Sequence, residues 1–365
     1  MISAQTFSIA DVISAIAPCE AAYNAEAQRQ LDSLTKPIGS LGRLEAIAAQ
    51  AYSIFSGQMP QPLRKAVYVF AADHGVTDEG VSAYPREVTA QMVLNFLHGG
   101  AAINVLARLH DTDLTVVDVG VDFEFDEAPG LRRMKVRRGS RNMHREAAMS
   151  HEELGQALET GARLAQEARE KGHHIVAIGE MGIGNTTAAS AITAALTGES
   201  IGTVTGRGAG LDDTGRNRKL HVVKRSIKRH FGASLSNPEP LEILRCVGGL
   251  EIAAMAGFIF GAAAGRMAMV CDGFISTAAA AIAHAVAPQI ADYMFAGHCS
   301  EEPGHRHLLR HIGIKPILNL GMRLGEGTGA VLAMPVIESA LRLYSEMATF
   351  SSAGVSGASP RESER

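Results

Sequence analysis

The chain has 365 residues, enough for one large domain or two moderate ones, and its 46% hydrophobic and 20% charged residues describe a folded globule rather than a disordered or disulfide-stapled chain. A net charge of −4 supplies no global field for a polyanion, so nucleic acid is disfavoured and a small ligand is the expected partner. The four cysteines, Cys19, Cys246, Cys271 and Cys299, form no CxxC pair and no zinc spacing, and are expected to be reduced thiols of a cytoplasmic protein.

The N-terminal stretch lacks a basic region and carries Asp11 within its apolar run, which argues against a secretory signal. Residues 1–60 read as helices, with a Pro and Gly break at "TKPIGS". Short apolar runs then follow, each ending in glycine or a polar residue: "AVYVFAADHG" (66–75), "LTVVDVGVD" (114–122), "HIVAIGEMGIG" (174–184), "MAMVCDG" (267–273) and "ILNLGM" (317–322). Their length is that of fully buried strands, and helical patterns lie between them. The alternation predicts an α/β fold with a mostly parallel sheet flanked by helices. The apolar runs at 252–265 and 274–291 are short for a membrane span and rich in small residues, so they read as buried helices. After residue 330 the chain returns to helix, and residues 1–60 with 331–350 are expected to form a smaller helical domain beside a catalytic domain at 61–330. The tail 351–365 is small, polar and expected to be mobile.

Ligands of such sheets bind beyond the carboxyl ends of the strands, where Asp73, His74, Glu180, Asp272 and Glu326 all fall. In "GEMGIGNTT" a strand passes through a glycine-rich turn into a helix opened by Asn185, Thr186 and Thr187, a place for phosphate or carboxylate or simply a capped helix start. In "GRGAGLDDTGRNRKL" (206–220) the backbone could approach a ligand while Arg207, Arg216 or Lys219 supplies charge, or the segment could be a surface loop. The basic run "LRRMKVRRGSR" reads as a solvated strand face. His307 and His311 are four apart and could share a metal with His298, His305 or a carboxylate, but the spacing is not HExxH and a loop closing over a ligand fits better. Adjacent Asp73 and His74 point to opposite faces of a strand and cannot easily form a dyad, so Asp73 is expected to fix a loop. Glu251 reads as a first-turn acid at a helix start. Glu326, enclosed by glycines in "GMRLGEGTGA", and Glu180 are the best candidates for acid–base chemistry, because enclosure raises a carboxyl pKa towards neutrality.

Taken together, "LTKPIGSLGRLE", "ADHGV", "GEMGIGNTT", "GGLEIAAMAG", "DGFISTAAA" and "MRLGEGTGA" closely resemble the nicotinate-nucleotide:5,6-dimethylbenzimidazole phosphoribosyltransferase family, in order from about residue 34 to residue 347. The resemblance implies a Rossmann-like sheet, in a cytoplasmic homodimer that moves the phosphoribosyl group from nicotinate mononucleotide to dimethylbenzimidazole, giving α-ribazole 5'-phosphate for the lower ligand of cobalamin. It implies that no metal and no redox cofactor is needed. It assigns the general base to Glu326 and places Glu180 at the ribose or as a secondary carboxylate. Gly182, Lys219 and Ser300 would hold the phosphate, and the backbone at Gly208 and Ala209 the nicotinate carboxylate. Thr35, Lys36, Pro37, Met181 and Leu324 would line the flat pocket of the base, with Tyr84 nearby. The rival readings are a non-catalytic relative that binds α-ribazole or a nucleotide, and an N-glycosidase that uses water in place of the azole.

Overall fold

Eight consecutive buried residues, Lys65–Ala72, form β1, an interior strand of a seven-stranded parallel sheet. It is joined by β2 (Asp113–Gly120), β3 (Leu131–Arg133), β4 (Ile175–Met181), β5 (Ala268–Cys271), β6 (Met294–His298) and β7 (Pro316–Leu318). This computed structural model describes residues 8–232 and 238–356. The strand order is β3-β2-β1-β4-β5-β6-β7, every pair parallel. The order reverses between β1 and β4, where the connections leaving the two strands diverge and open a crevice. In that pair Phe70 lies opposite Glu180.

The two apolar runs without strand signals are the buried helices Leu250–Ala264 and Phe274–Val286. The first lies against the helix His151–Glu170 at backbone contact, since a Cβ on Gly161 would strike the Ala254 carbonyl and one on Gly257 the Leu158 carbonyl. The basic run contains the edge strand β3 and is neutralised rather than bare: Arg132 pairs with Glu167 at 2.5 Å, Lys135 with Asp118 at 3.0 Å, and Arg138 with Glu124 at 2.7 Å. Such pairing at a sheet edge keeps it from recruiting another strand.

The sheet and its helices belong to a unit made of residues 62–334 and the N-terminal stretch to Pro18. Helix Ile9–Ser14 therefore groups with the sheet rather than with the helical residues up to 60, and the tie is direct: Tyr293 Oη donates to the Ala17 carbonyl at 2.7 Å. The second unit holds Cys19–Gln61 and the residues from Pro335 onward. Within it, the Tyr52 ring contacts those of Tyr344 and Tyr23 with centroids 5.2 and 6.2 Å apart, and Tyr52 Oη donates to Glu26 at 2.8 Å. Of the expected tail, Phe350–Ala353 is one helical turn capped by Thr349, while residues 357–365 lie outside those described.

Candidate active site

At the carboxyl end of β4 the chain runs Glu180, Met181, Gly182, Ile183, Gly184 and then turns into the helix Asn185–Thr197. Gly184 makes the turn at φ +98°, a left-handed value that suits glycine. Asn185, the first helical residue, donates its side-chain N–H to Glu180 Oε2, and the Ile183 N–H is held by Thr89 Oγ1 at 3.2 Å. Beneath the turn His74 touches the Gly182 position, where an added Cβ would sit 3.4 Å from the imidazole ring. His74 Nε2 in turn meets Glu251 Oε1 at 2.6 Å, both side chains fully buried. Glu251 is the first-turn acid of the helix Leu250–Ala264, as expected, and its carboxyl is in addition drawn inward to a histidine 177 positions away in sequence. Asp73, facing the other way, accepts from the Asp122 N–H at 2.8 Å and fixes the loop after β2.

Glu326 lies across the crevice in the loop before the helix Thr328–Glu346. It has φ +65°, in the left-handed region that a glutamate enters only when its surroundings impose it. The surroundings here are Asp272, just beyond β5. Its Oδ2 accepts from the Gly327 N–H at 3.1 Å, and its Oδ1 from Gly329 at 2.7 Å and Ala330 at 3.1 Å. His298 Nε2 stands 3.7 Å from Oδ1. The Glu326 side chain is 6% exposed and its Oε2 has no hydrogen-bond partner among the described residues. Burial pushes the Glu326 carboxyl above the usual carboxylate range; the N–H of Ile103 opposes this and the charge of Asp272 adds to it.

Below the glycine loop 206–211, Lys219 is wholly buried and donates to Thr186 Oγ1 at 2.8 Å. Burial pulls its ammonium down to about 8, with Glu302 opposing. Glu302 accepts the Gly208 N–H on Oε1 at 2.9 Å, while Arg323 donates to the Gly208 carbonyl at 3.1 Å, so the loop is pinned at one residue from both sides. The other two expected cations face elsewhere: Arg207 reaches the Leu211 carbonyl and Asp213, and Arg216 the Thr205 and Gly202 carbonyls. The Ser300 N–H donates to His305 Nδ1 at 2.9 Å, and Nε2 of that ring meets Thr277 Oγ1 at 3.0 Å. Both ring nitrogens are thus engaged within the protein, and burial pulls His305 down to about 3. His307 pairs with Glu199 at 2.9 Å.

These pieces wall a cavity of about 710 Å³ in the first unit, large enough for two small-molecule reactants together. Glu180, Met181 and Gly182 line it from β4, Gly208 and Ala209 from the glycine loop, Ser300 from beyond β6, and Leu324 and Glu326 from the last loop. Tyr84, half exposed, stands at its edge with Val88 and Met92. Lys219 is not in the wall but is one hydrogen bond behind it through Thr186. Thr35, Lys36 and Pro37 belong to the second unit, where Lys36 is buried against Glu45 at 2.8 Å. Residues that the sequence did not single out also contribute: Glu302, Ser82 and Phe274. Glu302 could have drawn notice as a carboxylate immediately before the Pro303 helix start, a position usually filled for capping.

The electrostatics of the cavity are dominated by carboxylates. Glu180 is pushed up to about 8, first by burial and then by the charges of Glu251, Asp272 and Glu326, with the Asn185 hydrogen bond opposing. Such a site favours a cationic ring or a developing positive centre, and it holds one carboxyl able to keep a proton near neutral pH and a second whose basicity burial raises.

Comparison with known proteins bears on this arrangement. A family profile described as phosphoribosyltransferase matches residues 16–355. The nicotinate-nucleotide–dimethylbenzimidazole phosphoribosyltransferase of Geobacter sulfurreducens is 51% identical over 350 residues, covering 95% of this chain and 98% of its own. That of Chlorobaculum parvum is 51% identical over 347 residues, covering 95% and 97%. A crystal structure of CobT from Thermus thermophilus superposes with a TM-score of 0.88 at 47% identity, covering 92% of this chain and 100% of that one.

Proposed function

Because this chain belongs to the nicotinate-nucleotide–dimethylbenzimidazole phosphoribosyltransferase family, we propose that Glu326 is the general base of a phosphoribosyl transfer carried out in the cavity between β4 and the last loop. The enzyme moves the 5-phosphoribosyl group of nicotinate mononucleotide to 5,6-dimethylbenzimidazole, releasing nicotinate and giving α-ribazole 5'-phosphate.

The chemistry sets what the site must do. One azole nitrogen attacks ribose C1' while the bond from C1' to the pyridinium nitrogen breaks, so the electron pair of that bond neutralises the departing ring. The second azole nitrogen loses its proton to Glu326, and attack opposite the leaving group turns the β configuration into α. The observation that carries this reading is the Glu326 carboxyl itself: buried at the cavity wall, with an unpartnered Oε2 and raised basicity. Glu180 faces the ribose, where its carboxyl, which keeps its proton near neutral pH, offers a hydrogen bond to a sugar oxygen. Gly182, Ser300 and Lys219 hold the phosphate, the lysine acting from behind Thr186. Gly208 and Ala209 receive the nicotinate carboxylate, and Tyr84, Met181 and Leu324 bound the planar base.

A homodimer and a cytoplasmic setting form part of the same proposal. Residues 88–109 are apolar on average but consist of two helices, Val88–Leu97 and Ala102–Leu109, parted by Gly99 and Gly100. They present Leu94, Val105 and Leu109 to the outside, the last 70% exposed, which supports a covering partner. The four cysteines are free thiols, in keeping with a reducing compartment.

The reading is tested by incubating the protein with nicotinate mononucleotide and dimethylbenzimidazole and following nicotinate and ribotide together. Both are expected in equal amounts, and Glu326→Gln is expected to lower kcat by ~100-fold or more with little change in KM for the nucleotide. Nicotinate without ribotide would make the protein a glycosidase, and near-normal turnover of the variant would remove Glu326 from the role of base.

A further inference from the structure

Glu326 owes its position to a residue that never touches the cavity space. The three backbone N–H groups bound by Asp272 belong to Gly327, Gly329 and Ala330, the residues that follow Glu326 directly. Three N–H donors converging on one side chain favour an acceptor-only group, the ionised carboxylate, and with His298 they oppose the burial that pushes the Asp272 carboxyl up. Asp272 does not line the cavity and is 1% exposed. It sits at the end of β5, a strand whose register with β4 is fixed, so it is a rigid anchor for a loop that carries a strained residue.

We propose that Asp272 is a positioning residue for the transfer reaction: its carboxylate clamps the peptide after Glu326, holding the reacting carboxyl in its left-handed conformation, and its charge faces that carboxyl across the clamp. The inference rests on Glu326 being the base. Replacing Asp272 by asparagine has two separable effects. The amide oxygen can still accept from Gly329 and Ala330, but the amide NH2 then meets the Gly327 N–H donor to donor, so the hydrogen bond that breaks is the one adjoining Glu326. The negative charge disappears as well. Its removal lets Glu326 ionise more readily, in keeping with Asp272 being one of the groups that raise the Glu326 carboxyl. The other groups facing this pair are unaltered: Glu180 from β4, itself biased by Glu251 from the helix Leu250–Ala264, His298 from β6, and the Ile103 N–H from the helix Ala102–Leu109, while Arg323 on the same loop is turned to the Gly208 carbonyl.

The test is the pH dependence of kcat/KM in Asp272→Asn beside the wild type. The acid limb, which reports the base in the free enzyme, is expected to move down by about half a pH unit or more, with kcat lowered ~10-fold or more. A limb that stays in place while kcat or thermal stability falls would overturn the proposal and leave Asp272 a helix cap. If Asp272→Asn does not fold by circular dichroism, amide exchange in the native chain decides: Gly327, Gly329 and Ala330 should exchange as slowly as β5, and exchange at exposed-loop rates would overturn the clamp. Because Glu326→Gln separately tests the base, a full loss in that variant beside an unmoved limb in Asp272→Asn would remove this inference and leave the base assignment standing.

Discussion

Gly179 on β4 lies face to face with the backbone of Glu326, so close that a Cβ added to Gly179 would run into the Glu326 carbonyl carbon and the Gly327 nitrogen. The strand that carries Glu180 is thus also the surface on which the opposing carboxylate rests, and the separation of the two acids is set by a residue with no side chain.

Gly179→Ala is accordingly expected to push the Glu326 loop outward. A displacement on the order of 1 Å at a reacting group costs about 100-fold. Steady-state kinetics should show kcat falling by about that factor with the nucleotide KM changed much less; an active Gly179→Ala enzyme with wild-type kcat would mean the loop moves without consequence.

The buried Glu180 carboxyl makes a statement about stability against pH. Its folded value of about 8 lies above the 4.5 of an exposed glutamate, so between these values the folded chain holds a proton that the unfolded chain has released. Stability is therefore full at low pH and is lost as pH rises towards 8. Glu180→Gln keeps an oxygen to accept from Asn185 and removes the titration. Between pH 5 and pH 8 the melting temperature of the empty variant should fall less than that of wild type, leaving it ahead by about 3 °C or more at pH 8. Parallel melting curves would contradict the assignment.

Lys219 carries the opposite sign. Its folded value of about 8 lies below the exposed 10.5, so from pH 8 to 10.5 the unfolded chain holds the extra proton and stability climbs with pH. Lys219→Met should abolish that climb. If the ammonium serves the phosphate from behind Thr186, the variant should also raise KM for nicotinate mononucleotide by about 10- to 100-fold, the scale of a lost charge-assisted hydrogen bond, with kcat less affected. Unchanged KM would dissociate the lysine from the phosphate.

The outward face of residues 88–109 is tested by Val105→Glu combined with Leu109→Glu. Both side chains are more than half exposed, so the fold should survive. Light scattering should show the mass dropping from two chains to one; a wild type already monomeric would refute the dimer.

Strand identity is readable where strands are buried on both faces. β1, β2, β4 and β5 all show as mainly apolar runs, because a parallel sheet covered by helices on both sides favours apolar residues over polar alternation. β6 has no such signature: "MFAGH" is five residues long and embedded between a one-turn helix and a histidine-rich stretch, so no local period marks it. β7 is three residues where six are expected, since the polar "NLGM" that follows leaves the sheet to build the last loop. The carboxylates at strand ends are visible because strand ends are where α/β sheets bind ligands. Their partners are not. Nothing near Glu251 announces His74, nothing near Glu302 announces Gly208, and the three N–H groups that hold Asp272 lie more than fifty residues away in sequence. Local pattern gives a group its place on an element; which distant group shares that place is decided by packing.

Glu180 and Glu326 line one cavity with Glu251 and Asp272 buried behind them, and that gathering has a bearing on how a turnover begins and ends. The nucleotide brings a unit of positive charge on its pyridinium ring into this acidic enclosure. When nicotinate departs, its ring is neutral, yet with Glu326 as the proposed base the enclosure would lose nothing, because the azole proton would then sit on that carboxyl. The cation has changed carrier, from a ring to a carboxyl, without leaving the room. Transfer therefore asks for no electrostatic rearrangement of the walls, and the cycle restarts only when that proton is surrendered to solvent, which makes opening to water the natural companion of product departure.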